Sequence, residues 1–169
     1  MTTTFDPGSL IVLVGGSGAG KTTLATRCWP ATWCLCLDDY RAMATDDASD
    51  QSATPVAAEI QNLLLDARLA RGLTTVIDST ALLPHVRAGL LARSRYWQRP
   101  CEAVLFDTSL EARRRQNTGR ARVVPDQVLI SQEHLIPSAR QLLDEGFARV
   151  TYADGLGRKA ILAPARIGN

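Results

Sequence analysis

The run G-G-S-G-A-G-K-T at residues 15–22 matches the pattern G-x-x-x-x-G-K-[ST] at Gly15, Gly20, Lys21 and Thr22. Each position answers a need of a bound polyphosphate. Glycines let the backbone turn with its N–H groups pointing inward, and a following helix adds its positive N-terminal end. Lys21 can then reach β and γ phosphates, and Thr22 is placed to ligate Mg²⁺. Gly15, Gly16, Ser17, Gly18, Ala19, Gly20, Lys21, Thr22 and Thr23 are therefore candidate nucleotide-binding residues, with ATP and Mg²⁺ as the implied ligands. The dinucleotide fingerprint G-x-G-x-x-G fails, because counting from Gly16 and Gly18 its last glycine falls on Lys21.

A second cluster sits at L-C-L-D-D-Y-R, residues 35–41, where an apolar run ends in two carboxylates, a phenol and a guanidinium. It reads either as a decorated loop or as a site where a carboxylate takes a proton and Arg41 holds an anion. In a parallel sheet the carboxyl ends of the strands face one crevice, so Asp38, Asp39, Tyr40 and Arg41 belong near phosphates held by residues 15–22. Asp78, in V-I-D-S-T, shares that edge either as a turn cap or as an acid that faces substrate and orients Mg²⁺ and its waters. Phosphoryl transfer also needs positive charge over the moving group. R-R-R-Q-N-T-G-R-A-R, residues 113–122, offers it as an arginine-rich lid hinged at Gly119; the alternative is a solvated basic face. Arg115, Arg120 and Arg122 are its candidate phosphate ligands.

These groups need a scaffold that aligns them. Apolar, β-rich runs at Leu10–Val14, Thr32–Leu37, Thr74–Ile77, Ala103–Phe106 and Ala148–Tyr152 alternate with helical spacing at Lys21–Cys28, Pro55–Arg71, Pro84–Tyr96, Leu110–Gln116 and Pro125–Glu145. That alternation predicts an α/β fold with a parallel sheet flanked by helices. Pro55, Pro84 and Pro125 each fall near a helix start, where a missing N–H costs little. The polar stretch T-D-D-A-S-D-Q-S-A-T, residues 45–54, reads as a solvated loop with Thr54 as N-cap.

At 169 residues the chain fits one domain, with a core at 10–153 and the lid at 113–122. Cys28, Cys34, Cys36 and Cys101 show no metal-ligand spacing and read as reduced thiols of a cytoplasmic protein. The N-terminus lacks a basic region and no apolar run is long enough for a membrane span. Net charge of +2 does not by itself argue for nucleic acid. Arginine outnumbers lysine 17 to 2, and 11 arginines fall between Arg68 and Arg122. Arginine suits phosphate, although coding bias produces the same excess. No patch in the sequence defines an oligomeric state.

Taken together these motifs resemble the 5′-hydroxyl polynucleotide kinase module of bacterial polynucleotide kinase-phosphatases and, more distantly, the phage polynucleotide kinase. The likeness spans about residues 10–153. It rests on G-x-G-x-G-K-[ST]-T at the loop, D-D-Y-R at 38–41, D-D-x-x-D-Q-S-A-T at 46–54, D-x-T at 78–80 and an arginine-rich lid ending in V-P at 124–125. The resemblance implies an adenylate-kinase-like P-loop NTPase with strand order 2-3-1-4-5. It further implies Asp38 as the general base on a DNA or RNA 5′-OH, Arg41 as a contact to a phosphate near the reacting end, and Gln51 as part of the loop beside the acceptor. Lys21 and Arg115 would engage ATP phosphates, and Thr22 would ligate Mg²⁺. Ala81 stands where the family often has asparagine, Gln116 replaces an asparagine after the first lid arginine, and a second lid arginine would fall on Gly119.

Two other functions remain compatible with the residues. One is a kinase of a small-molecule hydroxyl such as a nucleoside, sugar or antibiotic, which the small net charge and sparse aromatics favour. The other is a non-catalytic ATP-binding module.

Overall fold

The computed structural model describes residues 5–119 and 123–156. Five parallel strands form one sheet: β1 (Leu10–Val14), β2 (Cys34–Cys36), β3 (Thr75–Asp78), β4 (Cys101–Leu105) and β5 (Arg149–Tyr152). Their order is β2-β3-β1-β4-β5, as the resemblance implies. Among the described residues seven α-helices flank the sheet: α1 (Lys21–Cys28), α2 (Leu37–Thr45), α3 (Thr54–Ala70), α4 (Pro84–Tyr96), α5 (Leu110–Thr118), α6 (Asp126–Glu133) and α7 (Ala139–Glu145).

β1 is the centre of the sheet, in register with β3 on one side and β4 on the other. Its sequence LIVLV is wholly buried, as a strand covered on both faces requires. Alternate side chains separate two cores. Leu10, Val12 and Val14 join Leu65, Leu69, Leu90, Leu91 and Leu142 from α3, α4 and α7. Ile11 and Leu13 point the other way, toward Leu24, Trp29, Phe5 and Leu156. The phosphate-loop candidate thus leaves a strand clamped from both sides.

Several boundaries differ from the sequence reading. Residues 31–33 form a 3₁₀ turn, so β2 is only three residues long. The acidic run after it is helical: α2 starts at Leu37, and Asp38 and Asp39 occupy its first turn, where the positive end of the helix favours carboxylates. The single helix expected over 125–145 is two helices. Pro137 lacks an N–H and restricts Ile136, and Ser138 restarts the chain with a capping box to Gln141. Thr54 is the first residue of α3 and Ala53 its N-cap.

Leu65 has no exposed surface and lies in the larger core. Leu65→Ala is expected to lower unfolding free energy by about 2–5 kcal/mol, read from denaturant midpoints. A loss well under about 1 kcal/mol would show that α3 does not pack there.

Candidate active site

The carboxyl ends of β1, β2 and β3 meet at one edge of the sheet, and the candidate residues gather there. Residues 15–20 run from β1 into α1. Gly18 and Gly20 have φ of 80° and 90°, a left-handed conformation that glycine adopts without a Cβ penalty. Gly20 is the N-cap of α1 and offers no side-chain cap, so the first N–H groups of the helix remain available to an anion. The Gly15 N–H donates to the Thr80 carbonyl at 3.0 Å, tying the loop to the turn after β3.

Lys21 is buried, and its ammonium donates to the carbonyls of Gly15 at 2.9 Å and Gly16 at 2.8 Å. Asp78 ends β3, also buried. Burial pushes its carboxyl above the ordinary value of 3.8, the Thr22 hydroxyl and the Lys21 ammonium pull it back, and the Asp38 and Asp39 carboxylates push it up again. Lys21, Thr22, Asp38, Asp39 and Asp78 therefore form one electrostatic cluster. Cys36, opposite Asp78 in the register, is pushed up to about 11, chiefly by burial.

The Thr22 hydroxyl at the start of α1 and the Asp78 carboxylate at the end of β3 are hard oxygen donors, which suits Mg²⁺. Mg²⁺ usually takes only one or two protein oxygens and fills its remaining positions with phosphate and water. Thr22 paired with Asp78 fits that pattern, and among the described residues there is no larger cluster of acidic, histidine or cysteine ligands.

Arg41 is buried on α2. Its guanidinium joins Asp38, the Ala48 carbonyl through Nε at 2.9 Å and Thr54 Oγ1 through Nη1 at 3.4 Å. It thereby ties the first turn of α2 to the 46–53 loop and the start of α3. That loop repeats D-x-S. Asp47 accepts from the Ser49 N–H and hydroxyl at 2.7 and 2.6 Å, and Asp50 from the Ser52 N–H and hydroxyl at 2.9 and 2.6 Å. The Ser52 hydroxyl, then its N–H, hold the Asp50 carboxyl below the usual range. Gln51 is exposed beside them, with Nε2 3.3 Å from the Ser49 carbonyl.

The arginines of the expected lid divide into distinct settings. Residues 113–118 lie within α5, and Gly119 is its C-cap. Arg115 is exposed and paired with Glu111, while Arg114 forms two hydrogen bonds with Asp126 at 2.6 and 2.7 Å. Arg120 and Arg122 lie outside the described residues. Among the described lid arginines the one that meets the phosphate loop is Arg113, which has no exposed surface. A Cβ on Gly16 would overlap its Nη1 and lie 2.9 Å from its Cζ. Sequence reasoning passed over Arg113; the signal was Gly16, a glycine at a position the loop pattern leaves open.

Gln116 faces the loop at Gly20, its Oε1 3.8 Å from where a Cβ would stand. With Ala19, Thr23, Leu24, Arg27, Phe106, Thr108, Ala153 and Asp154 it lines an open cleft of about 520 Å³ beside α1, where a nucleoside attached to loop-bound phosphates can lie. Among the described residues no helix is long and apolar enough to cross a membrane.

Residues 10–136 match a protein family described as an AAA domain, and the chain belongs to that family. No curated protein matches it at a significant level. A chain of the Pnkp1/Rnl/Hen1 complex aligns with a TM-score of 0.57 at 20% identity, over 74% of this chain and 43% of that one. The match therefore spans less than half of that protein's length. A gluconokinase from Sinorhizobium meliloti 1021 aligns with a TM-score of 0.55 at 17% identity, over 93% and 91% of the two chains. A shikimate kinase from Bacteroides thetaiotaomicron gives 0.52 at 16% identity, over 86% and 87%. At these identities the likeness establishes the fold, which is the P-loop kinase fold: a five-stranded parallel sheet between helices, with the phosphate loop after its central strand.

The raised carboxyl of Asp78 has a consequence for stability. The folded state holds that proton more tightly than the unfolded chain. The stabilisation is complete below pH 3.8 and is lost as pH rises through the higher folded value. At pH 7 the ionised carboxylate is a cost, so Asp78→Asn is expected to melt at the same temperature as the parent or above it. A clearly lower melting temperature for Asp78→Asn at pH 7 would show that Thr22 and Lys21 outweigh the burial.

Proposed function

We propose that the chain is an ATP- and Mg²⁺-dependent kinase that moves the γ-phosphate of ATP to a 5′-OH end of DNA or RNA. The observation that carries this reading is that the phosphate loop after β1, Asp38 in the first turn of α2 and Asp78 at the end of β3 share one edge of the sheet, where their charges act on one another. A nucleotide-binding module needs Lys21 and Thr22 alone. A second carboxylate on the adjacent strand edge is what an acceptor hydroxyl requires.

Thr22, beside Asp78, would hold Mg²⁺, which would supply charge neutralisation to the β and γ phosphates. Lys21 holds those phosphates, and the loop N–H groups orient them in line with the acceptor. Asp38 accepts the hydroxyl proton as the acceptor oxygen bonds to the γ phosphorus and the bond to the β-phosphate oxygen breaks. The products are ADP, a phosphate monoester and one proton. Arg41 holds Asp38 toward the acceptor and steadies the 46–53 loop that contains Gln51. Three of its five N–H donors are committed to Asp38, Ala48 and Thr54, which leaves two for an acceptor phosphate. Arg115, exposed on α5 and paired with Glu111, is the described lid arginine that supplies positive charge to the triphosphate.

A second reading, a small-molecule hydroxyl kinase, has one observation in its favour. Between residues 31 and 67 the only cation is Arg41, which is buried, against seven carboxylates. A polynucleotide bound there gains little from counterion release on that side, so salt sensitivity of the acceptor KM separates the two substrates.

The test uses a short 5′-OH oligonucleotide, ATP and Mg²⁺. Asp38→Asn is expected to retain ATP binding while the transfer rate falls roughly 10²- to 10⁴-fold. Undiminished turnover in the variant removes Asp38 from the mechanism. No transfer from a parent that binds ATP moves the reading to small hydroxyl acceptors.

A further inference from the structure

Gln132 lies on α6, 115 residues along the chain from the phosphate loop, yet its side-chain oxygen accepts the Ser17 N–H at 2.7 Å. Ser17 directly follows Gly15 and Gly16, the two residues whose carbonyls hold the Lys21 ammonium. Gln132 therefore meets the loop at its Lys21 end, the end that serves β and γ phosphates. The amide's orientation follows from chemistry. A backbone N–H needs an acceptor, so Oε1 faces Ser17 and Nε2, with two N–H donors, lies on the other side of the carboxamide. Among the described residues Nε2 donates to no protein acceptor.

The seat of this amide is built into the packing. Arg113 donates to the Leu129 carbonyl at 3.3 Å and pairs with Glu133, the residue after Gln132. The same guanidinium fills the space over Gly16, and the Arg113 carbonyl lies 2.8 Å from where a Cβ on Gly18 would stand. A wholly buried arginine thus fastens α6 to the loop one residue from Gln132. A carboxamide held this way loses little freedom on meeting a ligand.

We propose that Gln132 is a γ-phosphate contact. Its Oε1 stays on the Ser17 N–H while Nε2 donates to a γ-phosphoryl oxygen of ATP, so the residue distinguishes ATP from ADP and positions the group to be transferred. The proposal rests on the nucleotide-binding reading of the loop. A neutral donor can mark the terminal phosphate without adding to the positive charge already supplied by Lys21, and a hydrogen bond to a charged oxygen is stronger than one between neutral groups.

Calorimetric titration of the parent, Gln132→Ala and Gln132→Glu with ATP and with ADP, each with Mg²⁺, tests it. Gln132→Ala is expected to weaken ATP binding roughly tenfold while ADP binding is retained. Gln132→Glu keeps an acceptor for Ser17 but loses the donor and opposes a phosphate, so its ATP binding falls further still. Retained ADP binding shows that both variants are folded. Equal losses for ATP and ADP would make Gln132 a prop for the loop and overturn the proposal, as would unchanged ATP affinity in both variants. A parent that binds neither nucleotide overturns the nucleotide-binding reading and this proposal with it, which separates the two failures.

Discussion

The arrangement depends on one buried cation. Lys21 has little exposed surface, and its ammonium is shared between the carbonyls of Gly15 and Gly16. An ammonium withdrawn from water is costly without such acceptors, so the loop must curl back over its own lysine. That curl needs glycine where φ is positive, at Gly18 and Gly20. It also needs a rigid origin, which β1 supplies between β3 and β4. The Gly15 N–H on Thr80 and the Arg113 side chain on Gly16 brace it from two further directions. The loop is thus preorganised for an anion by contacts from the turn after β3 and from α5.

Charge at the end of β2 serves two purposes at once. Asp38 and Asp39 sit in the first turn of α2, where the helix end favours them, and they also act on Asp78 across the sheet edge. The helix explains why carboxylates are tolerated there; Asp78 and the phosphate loop explain what such charges can be used for. The D-x-S pairs of the 46–53 loop likewise satisfy their own backbone first. Gln51 is left presented to solvent between the two turns.

Much of this was legible in the sequence because local chemistry sets it. The bounds of α1 and α4 agree with the reading, since a glycine loop and a proline mark their starts. The parallel sheet follows from β-rich runs alternating with helical spacing. α2 was missed because its buried face is only Tyr40 and Arg41, which carry no apolar period. The break before α7 depends on Pro137 and the Ser138 cap overriding an otherwise helical run. In the candidate site, Lys21, Thr22 and Asp38 stand in the first turns of the helices that follow β1 and β2, Asp78 ends β3, and all four were found from spacing. Arg113 and Gln132 were not, because three adjacent arginines look alike until packing turns one inward, and a glutamine contact across 115 residues leaves no local pattern.

The most direct measurement is the affinity of Mg²⁺-ATP for the parent and for Lys21→Met, which keeps the buried stem and removes the charge. A phosphate loop organised around this ammonium predicts that the parent binds and that the variant binds roughly tenfold or more weakly, with its fold intact by circular dichroism. Equal affinity in a folded variant would contradict it, since the triphosphate would then lie away from Lys21.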